Sequence, residues 1–405
     1  MRILMISDVY FPRINGVSTS TQIFREELIR RGHKVTLIAP HYPNCAEAED
    51  IIRIPSRQVL FDPEDRMMKR REVMALLPML RNEKYDILHI QTPFVAHHLG
   101  VKLAAALNIP SIETYHTFFE EYLFHYVPFV PKAWMRALAR RFTRTQCNAV
   151  DSVVVPSTAM SEILQRYGVT TPMKIIPTGM ELNQFHSCNG AAFRERYQVP
   201  ATRPTLVHIG RVAHEKNIDF LLHMLQQSRI NIPDILLIIA GEGPALPHLH
   251  KLTGQLGLRD NVLFVGYLSR ADALLDCYCA GNAFVFASRT ETQGLVLLEA
   301  MALGVPVVST AVMGTRDILQ PQRGALVAPE DPVKFADTVK LLLDNDLLHK
   351  RLSKEARDYV KEWSAPVMAE RLLAYYQQVV DTRRQQQPQQ DTPASDKNST
   401  SLGSG

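Results

Sequence analysis

Short runs of branched apolar residues alternate along this chain with longer segments whose apolar positions recur every three or four residues. In the first half the runs fall at 3–6, 35–38, 51–54, 87–90, 109–114, 152–155 and 174–176, with segments of helical length such as 19–31 and 72–81 between them. After a polar, irregular stretch at 185–203 the pattern restarts, at 205–209, 235–239, 262–265, 283–286, 305–309 and 325–327. Uninterrupted apolar runs of this length read as strands buried on both faces, which is the signature of parallel sheets covered by helices. The pattern therefore predicts an α/β protein of two Rossmann-like, doubly wound domains facing across a cleft, residues 1–185 and 186–364. A further helix is predicted over 365–382. From 383 to 405 Gln, Ser, Pro and Gly dominate, which predicts a disordered tail. No internal repeat of solenoid length is visible.

Composition changes this picture little. With 46% hydrophobic and 21% charged residues in 405, each half can bury a core of its own, and disordered, collagen-like and disulfide-framework classes are excluded. Cys45, Cys147, Cys188, Cys277 and Cys279 are odd in number and irregularly spaced, which predicts reduced thiols of a cytoplasmic compartment. Cys277 and Cys279 have no second pair downstream, so no zinc site is expected. The opening apolar run is too short for a signal-peptide core, and no stretch approaches the roughly 18 apolar residues of a membrane-spanning helix. The formal charge of +4 is unevenly placed. Residues 1–180 carry 22 Lys/Arg against 17 Asp/Glu, and the remainder 23 against 24.

In doubly wound sheets ligands sit beyond the carboxyl ends of the strands, so the residues following each run carry the chemistry. The densest constellation spans 287–306. Glu291 lies in a loop, Gly294 opens a helix whose first N–H groups suit an anion, and Glu299 stands about 7.5 Å further along the helix axis. Two carboxylates flanking an anion site match a sugar nucleotide, with hydroxyls on either side of a diphosphate. An ordinary loop acid and a solvated helix residue fit the same letters. A second group, Gly210-Arg211 followed by Glu215-Lys216-Asn217, places two cations after the first strand of the second half. They can neutralise a departing diphosphate, or they are surface cations paired with Glu215. Gly16, in the turn Asp8–Gly16 after the first strand, resembles a phosphate or acceptor loop, though a plain turn reads alike. In Gly241-Glu242-Gly243-Pro244, Leu246 replaces the third glycine of a dinucleotide fingerprint, which disfavours an NAD-dependent oxidoreductase. His116, at a strand end, is placed to face the cleft; His97, His98 and His125 read as structural.

Taken together these motifs resemble the retaining glycosyltransferases of family four, which have the GT-B fold, over about residues 1–370. The most specific matches are the Glu291/Glu299 pair and the Gly210-Arg211 to Lys216-Asn217 group. Asn15-Gly16-Val17, Pro177-Thr178-Gly179, Gly241–Pro244 and Val265-Gly266-Tyr267-Leu268 support them. The resemblance implies that Arg211 and Lys216 hold the donor diphosphate and that Glu299 takes the ribose hydroxyls. It implies that Glu291, with the backbone of Gly294, Leu295 and Val296, positions the transferred sugar, while the base meets the backbone near Val265 and Leu268. Gly16 and Gly243 fall on the donor side, and Glu291, Arg211, Lys216 and His116 are the implied catalytic set. No metal or other cofactor is implied beyond the nucleotide-sugar substrate, and transfer retains the donor configuration. Gln293 departs from the family, many of whose members carry an aromatic residue there. The last helix is implied to return to the first domain.

The stretch from His116 through Glu120, Glu121, Tyr122, His125 and Tyr126 is similar to the branch that glycosylates membrane lipids, including diacylglycerol glucosyltransferases and sulfolipid synthases. This branch implies UDP-glucose as donor and diacylglycerol as acceptor. The rivals are a GDP-mannose-dependent or other enzyme acting on a polyprenyl-linked or soluble glycan, and, in another class, a non-catalytic nucleotide-sugar-binding protein. Independently, Lys132, Arg136, Arg140 and Arg144 recur every four residues beside Arg141, and Trp134, Leu138 and Phe142 recur on another face. Such a helix suits an anionic membrane surface, as does the basic cluster at 66–71, and places the protein peripherally on the inner face of the cytoplasmic membrane. A helix packed by its aromatic stripe, with its arginines in solvent, reads the same way. No nucleic-acid partner is expected.

Overall fold

The computed structural model describes residues 1–405 except 44, 46–47, 60–61, 117–131, 186, 270–272 and 387–405. Glu120, Glu121, Tyr122, His125 and Tyr126 therefore lie outside the described residues, as does the tail beyond 386, and of Lys132 only the backbone is described. Among the described residues of 1–185 nine strands form: β1 (Arg2–Ile6), β2 (Lys34–Pro40), β3 (Ile51–Ile54), β4 (Ser56–Val59), β5 (Asp62–Met68), β6 (Ile87–Ile90), β7 (Ser111–Thr114), β8 (Ser152–Val155) and β9 (Met173–Ile175). Six follow: β10 (Thr205–Ile209), β11 (Leu236–Ala240), β12 (Val262–Gly266), β13 (Ala283–Phe286), β14 (Val307–Ser309) and β15 (Ala325–Val327). The first sheet runs β3-β2-β1-β6-β7-β8-β9 and the second β12-β11-β10-β13-β14-β15, every pairing parallel. The predicted pair of doubly wound sheets is what forms. The centre of each sheet shows why the runs are unbroken: Ile3, Leu4, Met5 and Ile6 are wholly buried between β2 and β6, with helices on both faces.

Two local readings are corrected. The run at 109–114 pairs only from Ser111, because Pro110 has no N–H to give the ladder, although its carbonyl accepts from Leu88 N–H at 2.9 Å. Strands β4 and β5 form an antiparallel hairpin that no apolar run announces. The basic cluster at 66–71 is split by it. Arg66 ends in the hairpin with its guanidinium 5.9 Å from the Tyr42 ring centroid, while Arg70 and Arg71 open the helix Arg70–Ala75.

The chain crosses between domains twice, and the crossings touch. Met180 N–H donates to Trp363 O and Ala365 N–H to Met180 O, both at 2.8 Å. A Cβ on Gly179 would lie 2.5 Å from Ala365 Cα, so this contact requires glycine. The helix Ala365–Gln386 then lies on the first domain, burying Met368, Ala369, Leu372, Tyr375, Tyr376 and Val380 against Ile3, Met5, Phe24 and Leu28. It continues past 383, where the tail was expected to begin. Tyr376 OH meets His89 Nδ1 at 2.5 Å, and Tyr375 OH meets Ser152 Oγ.

The expectation of five reduced thiols is also corrected. Cys188 and Cys279, 91 residues apart, form a disulfide with a Cα–Cα distance of 6.3 Å. Spacing gave no sign of it, because the two meet only once the linker near Gly190 packs on the helix Leu274–Ala280. Cys45, Cys147 and Cys277 remain free, and burial pushes the Cys277 thiol up to about 12. Among the described residues no His/Cys/Asp/Glu group is suited to a metal ion, and no helix is long and apolar enough to cross a membrane.

Candidate active site

Strand order turns back once in each sheet, between β1 and β6 and between β10 and β13, and each turn opens a crevice at the carboxyl ends of the strands. In the second domain this crevice gathers the charged residues singled out in the sequence. Beyond β10, Gly210 and Arg211 lead into a single 3-10 turn, His214–Lys216, and then the helix Ile218–Asn231. Beyond β13, the segment 287–294 leads into the helix Leu295–Ala302, which Gly294 opens at a φ of +95°, a conformation that favours glycine. Asn217 fastens the two loops, donating from Nδ2 to Ala287 O at 3.2 Å and to Glu330 Oε1 at 3.0 Å.

Lys216 Nζ lies 2.5 Å from Glu291 Oε1, with both side chains largely covered. Arg211 is exposed and pairs with Glu215, the arrangement foreseen as its bland alternative. Glu299 is not a solvated helix residue: it is 5% exposed, and Tyr278 O–H donates to its Oε2 at 2.8 Å. Tyr278 went unnoticed in the sequence. It lies in a short helix with no motif, and only folding brings it under Glu299.

The glycines divide into two kinds. A Cβ on Gly16 or on Gly210 would meet no atom within 4 Å, so both border open space. A Cβ on Gly243 would lie 2.3 Å from Val212 O, so this glycine lets the loop after β11 pack on the loop after β10. Val265 and Leu268 are half-buried at the carboxyl end of the edge strand β12, and Leu295 and Val296 are half-buried in the first turn of the helix after Gly294.

The first domain fills its crevice differently. Asp8, just beyond β1, accepts from Ala96 N–H at 3.0 Å and from Thr92 O–H at 2.9 Å, and burial pushes its carboxyl up to about 6. Asp8 thereby fastens the loop after β1 to the helix Val95–Leu107, a role the glycine-loop reading missed. Asn15 caps the helix Gly16–Arg30, accepting from Ser18 N–H at 2.8 Å. His116 follows β7 with Nε2 3.2 Å from Gln91 Oε1, so Nε2 carries the proton. Desolvation pulls His116 down to about 4 and keeps its ring neutral.

Residues 14–184 match the family model described as Glycosyltransferase Family 4, and residues 191–359 match Glycosyl transferases group 1. Alpha-monoglucosyldiacylglycerol synthase of Streptococcus pneumoniae is 31% identical over 387 residues, spanning 93% of this chain and 85% of its own. The chain belongs to the family-four glycosyltransferases. Another member, a GDP-mannose-dependent alpha-mannosyltransferase of Mycobacterium tuberculosis, is 27% identical over 95% of this chain and 99% of its own. The GT-B architecture of this glycosyltransferase is shared with Anabaena HepE, solved in complex with UDP, at a TM-score of 0.71 and 15% identity over 93% of this chain and 100% of that one.

The basic amphipathic segment of the glycosyltransferase is the helix Lys132–Cys147. Met135, Ala139, Thr143, Gln146 and Cys147 face inward, so the helix does not pack by its aromatic stripe throughout, as the alternative reading would have it. Trp134 is 77% and Leu138 64% exposed, while Phe142 is half-buried. Arg136, Arg140, Arg141 and Arg144 are exposed and, with Tyr167, line a groove of about 480 Å³. The Arg140 guanidinium lies 5.3 Å from the Tyr167 ring centroid.

Proposed function

We propose that this glycosyltransferase moves a hexose from a nucleoside-diphosphate sugar, UDP-glucose by preference, to the hydroxyl of diacylglycerol at an anionic membrane surface. The observation that carries the lipid acceptor is the helix Lys132–Cys147, which turns a bare tryptophan and leucine outward among four exposed arginines. Apolar side chains among cations suit the boundary between acyl chains and anionic headgroups, where each cation contributes roughly 1 kcal/mol. The name of the Streptococcus pneumoniae relative supports the same acceptor class. The donor rests on Arg211, Lys216, Glu291 and Glu299 around the second crevice.

On this reading Lys216 and Arg211 exchange their carboxylate partners for the diphosphate and supply its counter-charge as the C1–O bond breaks, so the reaction is metal-independent. The acceptor oxygen bonds to C1 on the face that the diphosphate leaves, which retains the configuration. The bond's electron pair departs with the nucleoside diphosphate, whose oxygen takes the hydroxyl proton. Glu299 holds the ribose hydroxyls, Glu291 and the backbone at 294–296 orient the sugar, and the neutral His116 accepts a hydrogen bond from a sugar hydroxyl at Nδ1 from the acceptor side.

Incubation with UDP-glucose, GDP-mannose and other nucleotide sugars and extracted lipids, with mass spectrometry of the products, tests donor and acceptor together. A glucosylated diacylglycerol is expected, unchanged in yield by EDTA. Mannose transfer from GDP-mannose would favour the second reading, which the Mycobacterium tuberculosis relative supports. Replacing Arg136, Arg140, Arg141 and Arg144 by Gln is expected to weaken binding to phosphatidylglycerol vesicles by about two to three orders of magnitude. Unchanged binding would remove the membrane reading.

A further inference from the structure

Gln293, the departure from the family pattern, is 6% exposed, and its amide meets the backbone of a single residue at both ends. Thr178 N–H donates to Gln293 Oε1 at 2.9 Å, and Gln293 Nε2 donates to Thr178 O at 2.8 Å. Thr178 lies two residues before Met180, which pairs with the returning chain at Ser364. Its own hydroxyl donates to Ser20 Oγ at 2.8 Å, on the helix that begins at Gly16. One side chain of the donor-side loop thus grips the backbone of one residue at the crossing between domains, and that residue is anchored to the first domain.

The same loop is held from its other end. Gly314 N–H donates to Glu291 O at 2.8 Å. On either side of it, Met313 packs against the core of the first domain, Arg316 pairs with Glu162 at 2.8 Å, and Asp317 accepts from Thr158 N–H at 2.6 Å. Residues 291–294 therefore lie between two attachments to the opposite side of the cleft. A primary amide takes a hydrogen bond from the backbone N–H and gives one to the backbone C=O at the same time; an aromatic ring or an ionised carboxylate does not.

We propose that Gln293 is a positioning residue for sugar transfer: its pairing with the Thr178 backbone sets Glu291 and Lys216, and hence the donor sugar, at a fixed separation from the acceptor-side domain. It touches neither the reacting atoms nor the diphosphate. Its effect falls on alignment, where a displacement of about 1 Å costs about a hundredfold in rate. The proposal rests on the donor reading for its consequence but not for its geometry, so the two are tested separately.

Gln293→Ala removes both bonds. Gln293→Glu keeps the shape and sets a carboxylate oxygen against the Thr178 carbonyl. Both variants are expected to lower kcat with UDP-glucose and diacylglycerol micelles by about tenfold to a hundredfold, with the Kd for UDP within about threefold of the parent. In small-angle scattering without ligand both are expected to have a larger radius of gyration than the parent. Protonated Glu regains a donor beside its carbonyl acceptor, so the Gln293→Glu radius is expected to return toward the parent value as the pH falls from 7 to 5, whereas Gln293→Ala stays expanded. A merely structural role does not produce that difference. Unchanged radii in both variants, or UDP affinity falling in step with kcat, would overturn the proposal. If the parent turns over no UDP-glucose, the donor reading fails while the scattering comparison still decides the latch.

Discussion

At its turning point between β10 and β13 the second domain gathers ion pairs, Lys216 with Glu291 and Arg211 with Glu215. At the matching point between β1 and β6 burial works against charge in the first domain, leaving two histidines neutral while Asp8 stays largely ionised at pH 7. Asp8 is pushed up to about 6, His116 down to about 4, and the neighbouring His89 down to about 3. One topological device thus builds two crevices, one lined by ion pairs and the other by neutral histidines beside a buried carboxyl. On the proposed reading the diphosphate, which gains charge as it leaves, meets Lys216 and Arg211 at the second, and the hydroxyl acceptor meets the neutral His116 at the first. The topology provides the crevice, while the residues after each strand decide its occupant.

The comparison breaks most readily at the cations. The double substitution Arg211→Ala, Lys216→Ala is expected to lower kcat/KM for transfer from UDP-glucose by about a thousandfold or more. Full turnover would mean that the diphosphate is held elsewhere. Next in size, His116→Ala is expected to lower kcat by about ten- to a hundredfold with UDP affinity unchanged in calorimetry, because the ring serves the acceptor side. A matching loss of UDP binding would erase the division between the two crevices. Tyr278→Phe removes only the hydroxyl beneath Glu299, worth about 1 kcal/mol, and is expected to weaken UDP binding about fivefold.

The buried histidines sharpen the contrast through pH. His89, His116 and His208 have depressed values, so the stability they contribute is full above about 6.5 and is lost as the pH falls toward 3 to 4. Over that window each is expected to cost about 1.4 kcal/mol per pH unit. Asp8 runs the other way, its contribution being present below about 3.8 and lost as the pH rises through about 6. Thermal unfolding followed from pH 7.5 to 4.5 is expected to show falling stability. Hydrogen exchange is expected to rise first in the first domain, which holds two of the three histidines.

Both sheets were visible in the sequence because a strand buried on two faces is apolar at most of its positions, so β1, β10 and β13 announce themselves locally. The candidate residues were visible for a related reason. Each follows a strand directly, and strand ends are where the crevice opens. The states of those residues were not visible. Glu299 reads as an ordinary helix glutamate until Tyr278 is found beneath it, and Gln293 reads as an anomaly until Thr178 arrives from 115 residues away. The Cys188–Cys279 bridge, the β4–β5 hairpin and the outward turn of Trp134 belong with them. Periodicity and composition act over a few neighbouring residues, and from them the sequence alone determined two parallel sheets and the strand ends that carry chemistry. Partner, burial and charge state depend on which distant loops pack together, and only the tertiary structure decided those.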